Sequence, residues 1–421
     1  MTAATEPPPR IATLDILRGV AVMGILAMNI VAFAMPFQAY MNPYAYGMES
    51  GADLASWAFN FVLIDGKMRG LFSFLFGASM LLVIDGATAQ GRDPAAVHYR
   101  RMIWLLVFGL LHFYFIWFGD ILAGYAMIGM LAFFFRGKTP LGLVKWGVAL
   151  VLVQWLLFVS FAFAFYATSE AASAPGASAE TIRQWNEMKG DFAVPASDAL
   201  ARKMAIFTGD FAGIANHQLT NNLLEPFVGL FFFGWETLGY MLLGMAALKS
   251  GFLTGAWQDS RYRRIALIGF AICIPVYAVL AWLLNSDGFS VPGIMAMSMA
   301  ATIPFRPVMV IAIAALIILL TRRGGGLVQR IAAAGRAAFT NYLGTSILMT
   351  ALFYGWGAGL YGQLSRIELW AVVLAMWAVI LLWSKPWLDR NLYGPLEWLW
   401  RTLARWEWQP MRRPLAPAPA E

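Results

Sequence analysis

The sequence contains a single cysteine, Cys273, and only three histidines. One cysteine excludes an internal disulfide framework and any cysteine-rich metal site. Cys273 itself lies in an apolar run, where a small packing residue is expected. No histidine and carboxylate have the i, i+4 spacing of a zinc-binding helix. The sequence therefore predicts no metal site and no permanently bound cofactor.

Charge is also scarce. Asp, Glu, Lys and Arg together make up 13% of the 421 residues, whereas soluble domains carry roughly 25%. Hydrophobic residues make up 60%, and the mean hydropathy is +0.65. So few charged side chains cannot solvate a chain of this length in water. The composition excludes an ordinary soluble protein and predicts that lipid surrounds much of the chain.

Long apolar runs are abundant. A membrane-crossing helix needs about 20 mostly apolar residues, and roughly ten windows meet that condition. The windows are Ile16 to Pro36, Lys67 to Ile84, Arg101 to Trp117, Ile121 to Phe135, Leu141 to Tyr166, Phe227 to Leu248, Ile265 to Leu284, Phe305 to Leu320, Ala337 to Trp356 and Leu369 to Trp383. The predicted fold is all-α, a polytopic integral membrane protein with about ten transmembrane helices and an extracytoplasmic helical loop.

The basic residues predict the orientation, because cytoplasmic loops are enriched in Lys and Arg. Of the 30 basic residues, 22 fall in the alternate segments that include both termini. The other eight are Lys67, Arg69, Arg183, Lys189, Arg202, Lys203, Arg306 and Arg366. Both termini are therefore predicted to be cytoplasmic. Orientation and contact with anionic membrane lipids then account for the net charge of +7, so no nucleic-acid partner is expected.

Five segments follow from this interpretation. They are a cytoplasmic N-terminus (1–15), transmembrane helices 1–5 (16–166), an extracytoplasmic loop or lid (167–226), transmembrane helices 6–10 (227–384) and an amphipathic cytoplasmic tail (385–421). Within the outer segment, Glu180 to Lys189 and Ala199 to Leu224 predict short amphipathic helices. Long connections are often functional, so this segment is either a lid or a plain loop.

Polar side chains inside the predicted spans are costly and mark functional candidates. On the outer half they are Asn29, Lys67, Arg69, His112, Asp120, Glu236, Arg306, Asn341 and Tyr342. His112 is a candidate general base, because an imidazole exchanges a proton near neutral pH. Asp120 follows a little over two helical turns later and faces the same cavity if the helix continues that far. The alternative is a neutral histidine hydrogen-bonded between helices, while His98 and His217 are expected at the surface.

An ionised Glu236 inside a span requires a basic partner, and Lys67, Arg69 and Arg306 are available on the same half. The two interpretations are a structural ion pair and a site for substrate or protons. Lys67 and Arg69 alternatively anchor a helix end by extending to the interface. The sequence predicts one outer cavity lined by Asn29, Lys67, His112, Asp120 and Glu236.

Arginines also gather on the predicted cytoplasmic side. Asp15 and Arg18 are spaced to form an i, i+3 ion pair, which is the structural interpretation. Alternatively, Arg18, Arg100 and Arg101 form a mouth for a phosphorylated donor, because guanidinium groups suit phosphate oxygens.

Several motifs resemble the YeiB-type family of bacterial polytopic membrane proteins, a domain of unknown function. They are Leu14-Asp15-Ile16-Leu17-Arg18-Gly19, Lys67-Met68-Arg69, Gly119-Asp120-Ile121-Leu122, Leu238-Gly239-Tyr240-Met241, Thr340-Asn341-Tyr342 and Gly394-Pro395-Leu396-Glu397-Trp398. The likeness covers almost the whole chain. It implies a multi-pass protein of the bacterial inner membrane.

The opening motif also resembles that of transmembrane acyltransferases such as heparan-alpha-glucosaminide N-acetyltransferase. In those enzymes a similar Asp-x-x-Arg-Gly start is followed by an asparagine, which Asn29 matches, and then by a histidine. This resemblance implies transfer of an acyl group from cytoplasmic acyl-CoA to a sugar across the membrane. The segment from Ile30 to Pro94 contains no histidine, so His112 on another helix would take that role.

Three functions are therefore weighed. The first is a membrane-embedded acyltransferase that moves an acyl group from acyl-CoA or a lipid to an extracytoplasmic, lipid or glycan acceptor, with His112 as base and Asp120 orienting it. The second is a transporter or flippase for a small polar or lipid-linked substrate, in which Glu236, His112 and Arg306 bind substrate or protons. The third is a non-catalytic membrane protein. A homodimer is kept open for each.

Overall fold

The computed structural model describes residues 11–413. The predicted N-terminal segment 1–15 and tail 385–421 therefore lie partly outside the described residues, as does Arg10 in the count of basic residues. Residues 11–413 form helices and turns without a β-strand, apart from one isolated bridge between Asn391 and Arg412. The all-α prediction is confirmed for this range.

The α-helices are, in chain order, α1 Ala12–Ala34, α2 Phe37–Met41, α3 Gly51–Phe59, α4 Lys67–Ala89, α5 Pro94–Phe115, α6 Leu122–Ala132, α7 Pro140–Ser173, α8 Ala179–Met188, α9 Ser197–Phe207, α10 Phe211–Asn221, α11 Glu225–Lys249, α12 Asp259–Ser286, α13 Val291–Gly293, α14 Arg306–Thr321, α15 Gly326–Arg336, α16 Ala338–Phe353, α17 Leu369–Arg390 and α18 Pro395–Arg405. Two π-helical stretches, Asn60–Ile64 and Ile294–Ala300, follow α3 and α13 directly.

Six helical stretches within the described range are long and apolar enough to cross a membrane: α1, the stretch Gly51–Ala89, α7, α11, α12 and α17. Three shorter apolar stretches accompany them, Leu122–Phe135, Val291–Ala300 and α14. A membrane protein is therefore supported by length and composition. The count of about ten spans stays a prediction.

Several boundaries differ from the predicted windows. The fifth window ends at Tyr166, but α7 continues to Ser173 and takes up the start of the predicted outer segment. The last window ends at Trp383, whereas α17 runs on to Arg390 through Pro386. The predicted helix Ala199 to Leu224 is two helices, because α9 ends before Thr208 and the Asp210 side chain accepts a hydrogen bond that begins α10.

The hydropathy windows also miss the helix that precedes Lys67. A capping box begins α3, in which the Ser50 side chain accepts from the Asp53 amide and the Asp53 carboxylate accepts from the Ser50 backbone. The π-helical stretch continues α3 to Ile64, and the chain then turns at Asp65 and Gly66 before α4 begins. Gly66 has φ +70°, a left-handed conformation that favours glycine.

Contacts between loops define two ends of the bundle. At one end the Asn42 amide donates to Phe192 O and Phe289 O, and the Gly355 amide donates to Phe207 O, so the segment 167–226 covers the connections after α1, α12 and α16. At the other end Lys249 donates to the carbonyls of Arg136 and Lys138. We call these the outer end and the terminal end, following the predicted orientation.

The amphipathic helix α18 packs at the terminal end. The Glu397 carboxylate accepts from the backbone amides of Phe339 (2.6 Å) and Thr340 (3.1 Å), two first-turn donors of α16 that have no partner within the helix. The Trp400 indole donates to Arg101 O (3.0 Å). The tail therefore holds the starts of the helices that carry the candidate site.

Candidate functional site

His112 lies near the C-terminal end of α5, and 1% of its surface is exposed. Its Nδ1 atom lies 2.7 Å from Asp120 Oδ2. The Asp120 Oδ1 atom accepts from the Ala123 amide at 2.8 Å, so both carboxylate oxygens are fixed. An ionised carboxylate only accepts hydrogen bonds, so beside it a neutral imidazole takes the tautomer in which the Nδ1–H group donates a hydrogen bond to Asp120. The other ring nitrogen, Nε2, is then a free acceptor.

The surroundings of His112 leave that acceptor unused. The Nε2 atom is buried and has no hydrogen-bond partner within residues 11–413. The Tyr342 ring packs against the imidazole with 5.3 Å between centroids, and its hydroxyl accepts from the Ile121 amide at 3.2 Å. The Trp117 ring lies edge-to-face with the imidazole, with 6.3 Å between their centroids. We call His112, Asp120, Trp117 and Tyr342 the His112 centre.

Asn29 lies on α1 and is buried at 7% exposure. It comes one helical turn before Phe33, and the Phe33 ring stacks on Trp117 with 3.9 Å between centroids. Its place in the site therefore stays a prediction.

A small aromatic cavity opens beside Trp117 at the outer end. Its walls come from the α5–α6 turn, α9, α10 and the segment after α16, including Phe207, Phe211 and Trp356. Trp117 and Tyr354 also line it, and their Nε1 and hydroxyl atoms are buried without a hydrogen-bond partner in the described chain. Buried polar groups are normally paired, so these two donors are available to a ligand.

A second cluster surrounds Glu236, whose side chain is completely buried in α11. Arg69 Nη2 donates to Oε2 at 2.7 Å, and Arg306 Nη1 donates to the same oxygen at 3.3 Å. The Tyr240 hydroxyl donates to Oε1 at 3.0 Å. Of the three basic residues expected as partners of Glu236, Arg69 and Arg306 therefore pair with it. We call Arg69, Glu236, Tyr240 and Arg306 the Glu236 cluster.

Lys67 is the exception. Its Nζ atom donates to Phe61 O and lies 3.4 Å from the centroid of the Tyr277 ring. The side chain is 1% exposed, so it does not extend to a membrane interface. Lys67 therefore belongs to the same region of the bundle as Arg306 but has no ion pair among the described contacts with Glu236.

The prediction of one cavity lined by these five residues stays a prediction. The described cavities have none of these five in their linings: Asn29, Lys67, His112, Asp120 and Glu236. The first turn of α6 separates the two clusters and contacts both, since the Ile121 amide donates to Tyr342 and the Tyr125 hydroxyl donates to Arg69 O at 3.1 Å. A helical hairpin thus divides the predicted site into two.

Arg18, Arg100 and Arg101, which are predicted to form a mouth for a phosphorylated donor, do not share a partner among the contacts of the described residues. Arg18 pairs with Asp15 at 3.0 Å and donates to Ser79 Oγ at 2.7 Å. The Arg101 guanidinium lies over the Trp400 ring at 4.2 Å, while Arg100 is exposed on α5. The i, i+3 pair predicted for Asp15 and Arg18 is confirmed.

The Asn341 side chain forms hydrogen bonds that link neighbouring helices. Its amide donates to Ala334 O at 2.9 Å and to Ser384 Oγ at 3.2 Å, and its oxygen accepts from the Trp383 indole at 2.9 Å. These bonds join α15, α16 and α17. Asn341 therefore fixes the helix that presents Tyr342 to His112.

Sequence reasoning was wrong about His98 and missed other polar residues. His98 was expected at the surface but is 1% exposed, with Nε2 3.0 Å from Gly129 O and its ring stacked on Phe133. Tyr125 and Tyr240 were missed because a tyrosine in an apolar window reads as an ordinary aromatic residue. The i, i+4 spacing of Glu236 and Tyr240 is the signal that could have found the second.

Within residues 11–413, no group of three or more His, Cys, Asp or Glu side chains has the arrangement of a metal site. The chemistry available to the site is therefore that of a carboxylate-oriented imidazole and of a carboxylate held between two guanidinium groups.

Comparisons with known proteins give relatives along the whole chain. A family model described as a protein of unknown function (DUF418) matches residues 247–407. The chain is 32% identical to the uncharacterized protein YeiB of Escherichia coli (strain K12) over 401 residues, covering 93% of this chain and 95% of the relative. It is 30% identical to the uncharacterized protein YxaH of Bacillus subtilis (strain 168) over 412 residues, 96% of each. No solved structure matches it.

Proposed function

The chain belongs to the YeiB family of bacterial membrane proteins, and from that premise we propose that it is a membrane-embedded acyltransferase with the His112 centre as its catalytic site. One observation carries the proposal: His112 Nδ1 lies 2.7 Å from Asp120 Oδ2, and Nε2 is left without a partner among the described residues. A buried imidazole in the Nδ1–H tautomer is prepared to accept a proton from a substrate.

The proposed reaction uses Nε2 as the base. An acceptor hydroxyl or amine loses its proton to Nε2 as its oxygen or nitrogen bonds to the acyl carbonyl carbon. The carbon–sulfur bond of acyl-CoA then breaks, and the departing sulfur takes the proton back from His112. Asp120 stabilises the imidazolium that exists between the two transfers and keeps the ring oriented.

Other residues supply positioning in this proposal. In this proposal Asn29 donates from its amide to the oxygen that becomes negative. The acceptor enters from the outer end by the aromatic cavity beside Trp117, where Tyr354 and the Trp117 indole have donors without partners among the described residues. His112 does not line that cavity, so the Trp117 ring has to move for the acceptor to reach Nε2. Arg18, Arg100 and Arg101 lie at the terminal end, where a donor with phosphate groups would arrive from the cytoplasm of an inner-membrane protein with cytoplasmic termini.

The test is acyl transfer by the purified full chain. Protein is incubated with radiolabelled acetyl-CoA and a bacterial membrane extract as the acceptor pool, and label is followed into lipid and glycan fractions. The His112→Asn variant keeps a donor and an acceptor but cannot carry the proton, so we expect the rate to fall by about 10²- to 10⁴-fold. Asp120→Asn should also lose activity, because it no longer selects the Nδ1–H tautomer.

His98 provides the matched control, since it is a second buried histidine on α5 whose ring bonds only to a backbone carbonyl among the described residues. His98→Asn should transfer label at close to the wild-type rate. The proposal is wrong if the wild type transfers no label, or if His98→Asn and His112→Asn lose activity equally.

A transporter or flippase is the second candidate, and the Glu236 cluster favours it. A buried carboxylate between two arginines can bind substrate or exchange a proton inside the membrane. If the wild type transfers no acyl group but reconstituted vesicles show a Glu236-dependent or His112-dependent flux of solute or protons, the transporter replaces the enzyme.

A further inference from the structure

A second cavity lies where two helices are interrupted. Asn60, Phe61 and Asp65 line it from the break between α3 and α4, and Ser298 and Met299 line it from the π-helical stretch before α14. The other walls come from α1, α2, α3 and the segment before α17. π-Helical stretches are rare and are frequent at functional sites. Irregular backbone inside a membrane is tolerated where it is buried in protein or lines a cavity.

Two side chains of opposite charge line this cavity, Asp65 and Arg366, and neither forms an ion pair among the described residues. Asp65 is half-buried, and its Oδ1 atom accepts from the Tyr40 hydroxyl at 2.9 Å. Arg366 is 5% exposed, and its Nη2 atom donates to the carbonyls of Ala39 at 2.5 Å and Tyr46 at 3.2 Å. Both charges therefore have only neutral hydrogen-bond partners. A charge held in a bundle interior without a counter-ion is expensive.

The cations nearest to Asp65 are engaged elsewhere. Lys67 Nζ donates to Phe61 O, and the Arg306 guanidinium pairs with Glu236. Their positive charges still act on the cavity, so a ligand with only a positive charge would be repelled. A ligand with only a negative charge would be repelled by the carboxylate in the cavity wall. A ligand that carries one charge of each sign avoids both costs.

The residues of the cavity wall also provide an unused donor, an unused acceptor and aromatic rings. Arg366 Nε and Asn60 Oδ1 are buried, and neither has a hydrogen-bond partner within residues 11–413. Buried polar groups are normally paired, so both atoms are available to a ligand. Tyr40, Trp57 and Phe61 line the same cavity. The faces of such rings attract organic cations.

We propose that this cavity binds a small organic zwitterion, with its ammonium group at the Asp65 carboxylate and Asn60 Oδ1, and its carboxylate or phosphate group at Arg366 Nε. An ammonium group only donates hydrogen bonds and an anionic group only accepts them, so each end matches its side of the cavity. Methionines in the wall, Met28 among them, adapt to an apolar body. No residue of the His112 centre lines this cavity, so the proposal does not depend on acyl transfer. The same chemistry belongs to an α-amino acid and to the headgroup of phosphatidylethanolamine.

Binding is tested by thermal unfolding of the full chain in a nonionic detergent at constant pH, with two zwitterionic probes. L-leucine represents the amino acid, and glycerophosphoethanolamine represents the lipid headgroup. Isopentylamine and isocaproate each carry one charge of leucine, and ethanolamine and glycerol phosphate each carry one charge of the headgroup. At least one zwitterion should raise the melting temperature in a saturable manner, and its two halves should raise it much less. The proposal is overturned if neither zwitterion raises the melting temperature more than its halves do.

Two variants assign the charges of the ligand to the two side chains. Asp65→Asn keeps an acceptor for the Tyr40 hydroxyl but removes the charge, so it should weaken binding of the zwitterion at least about tenfold and abolish the preference over its anionic half. Arg366→Gln should abolish the preference over the cationic half, and Asp65→Asn decides the test if Arg366→Gln does not fold. Asp198→Asn makes the same change on the exposed outer helix α9 and should bind like the wild type. Unchanged binding by Asp65→Asn also overturns the proposal.

Native mass spectrometry of the purified protein distinguishes the two sources of the ligand. Phosphatidylethanolamine that is retained by the wild type and lost from Asp65→Asn indicates a lipid headgroup. Saturable binding of a probe without retained lipid indicates a soluble zwitterion.

Discussion

The contact between α4 and α11 gives the sharpest stability prediction, because it carries Arg69 and Glu236 and depends on two glycines. A Cβ atom at Gly244 would lie 1.7 Å from Phe74 O, and one at Gly77 would lie 2.1 Å from Met241 O. Both are far inside contact distance, and both obstructing atoms are backbone. Small residues let transmembrane helices approach this closely.

In Gly244→Ala, the distance between the new Cβ atom and Phe74 O has to lengthen from 1.7 Å to about 3.4 Å, where ordinary van der Waals contact begins. The shift cannot be absorbed by rotating a side chain, because the obstacle is a carbonyl oxygen. Inserting a methyl group into a well-packed core typically costs about 1–3 kcal/mol. That cost corresponds to a rise of about 5- to 150-fold in the population of opened molecules.

The control is Gly86→Ala, also on α4, whose expected effect on stability has the opposite sign. A Cβ atom there meets nothing within 4 Å, and alanine is favoured over glycine in a helix by roughly 1 kcal/mol. Gly86→Ala should therefore be neutral or stabilising, although the chemical change is identical to that at Gly244.

The assay uses the thiol of the single cysteine. Cys273 is buried in α12, so a thiol reagent labels it only when the bundle opens. In detergent, Gly244→Ala should label faster and melt at a lower temperature than the wild type, whereas Gly86→Ala should not. Equal labelling rates for Gly244→Ala and the wild type would refute the close helix contact.

Two further predictions concern orientation and the C-terminal helix. In a Cys273→Ala background, a cysteine at exposed Ser178 should react with an impermeant reagent in intact cells, and one at exposed Gln90 only after permeabilisation; the reverse pattern would invert the assigned topology. Glu397→Ala removes the acceptor for the Thr340 amide at the start of α16, so it should lower stability by about 0.5–2 kcal/mol in thermal unfolding. An unchanged melting temperature would show that water replaces this cap.

The sequence predicts the elements of this fold better than their interruptions. The helical stretch Gly51–Ala89 contains an apolar window long enough to cross a membrane, and an average over such a window does not show the turn at Gly66. The predicted span begins at Lys67, where α4 also begins. The helix before it was missed, since a break inside a bundle is fixed by contact with Arg306, far away in the chain.

The candidate site was predictable where the free-energy cost of burying a charged group is enough to identify its partner. A buried carboxylate requires a cation, and this argument predicts Lys67, Arg69 and Arg306 as possible partners of Glu236, of which the two arginines pair with it. The spacing of His112 and Asp120 predicts that they face one cavity if the helix continues that far. The two do pair, but α5 ends at Phe115, and a turn rather than a continuing helix returns Asp120 to the imidazole. Division into two clusters was not predictable, because it depends on how α6 packs between distant helices.

That division has a functional consequence. The first turn of α6 contacts both clusters, through the Ile121 amide at Tyr342 and the Tyr125 hydroxyl at the carbonyl of Arg69. The Tyr125 hydroxyl contacts the backbone carbonyl of Arg69 and not its side chain. A ligand that draws the Arg69 side chain away from Glu236 therefore leaves this contact unchanged, and α6 has to move only if α4 itself moves. A ligand bound at the Glu236 cluster would therefore influence His112 only through a displacement of α4. Since the close contact at Gly244 holds α4 against α11, the same substitution that loosens the bundle is expected to weaken any coupling between the two clusters.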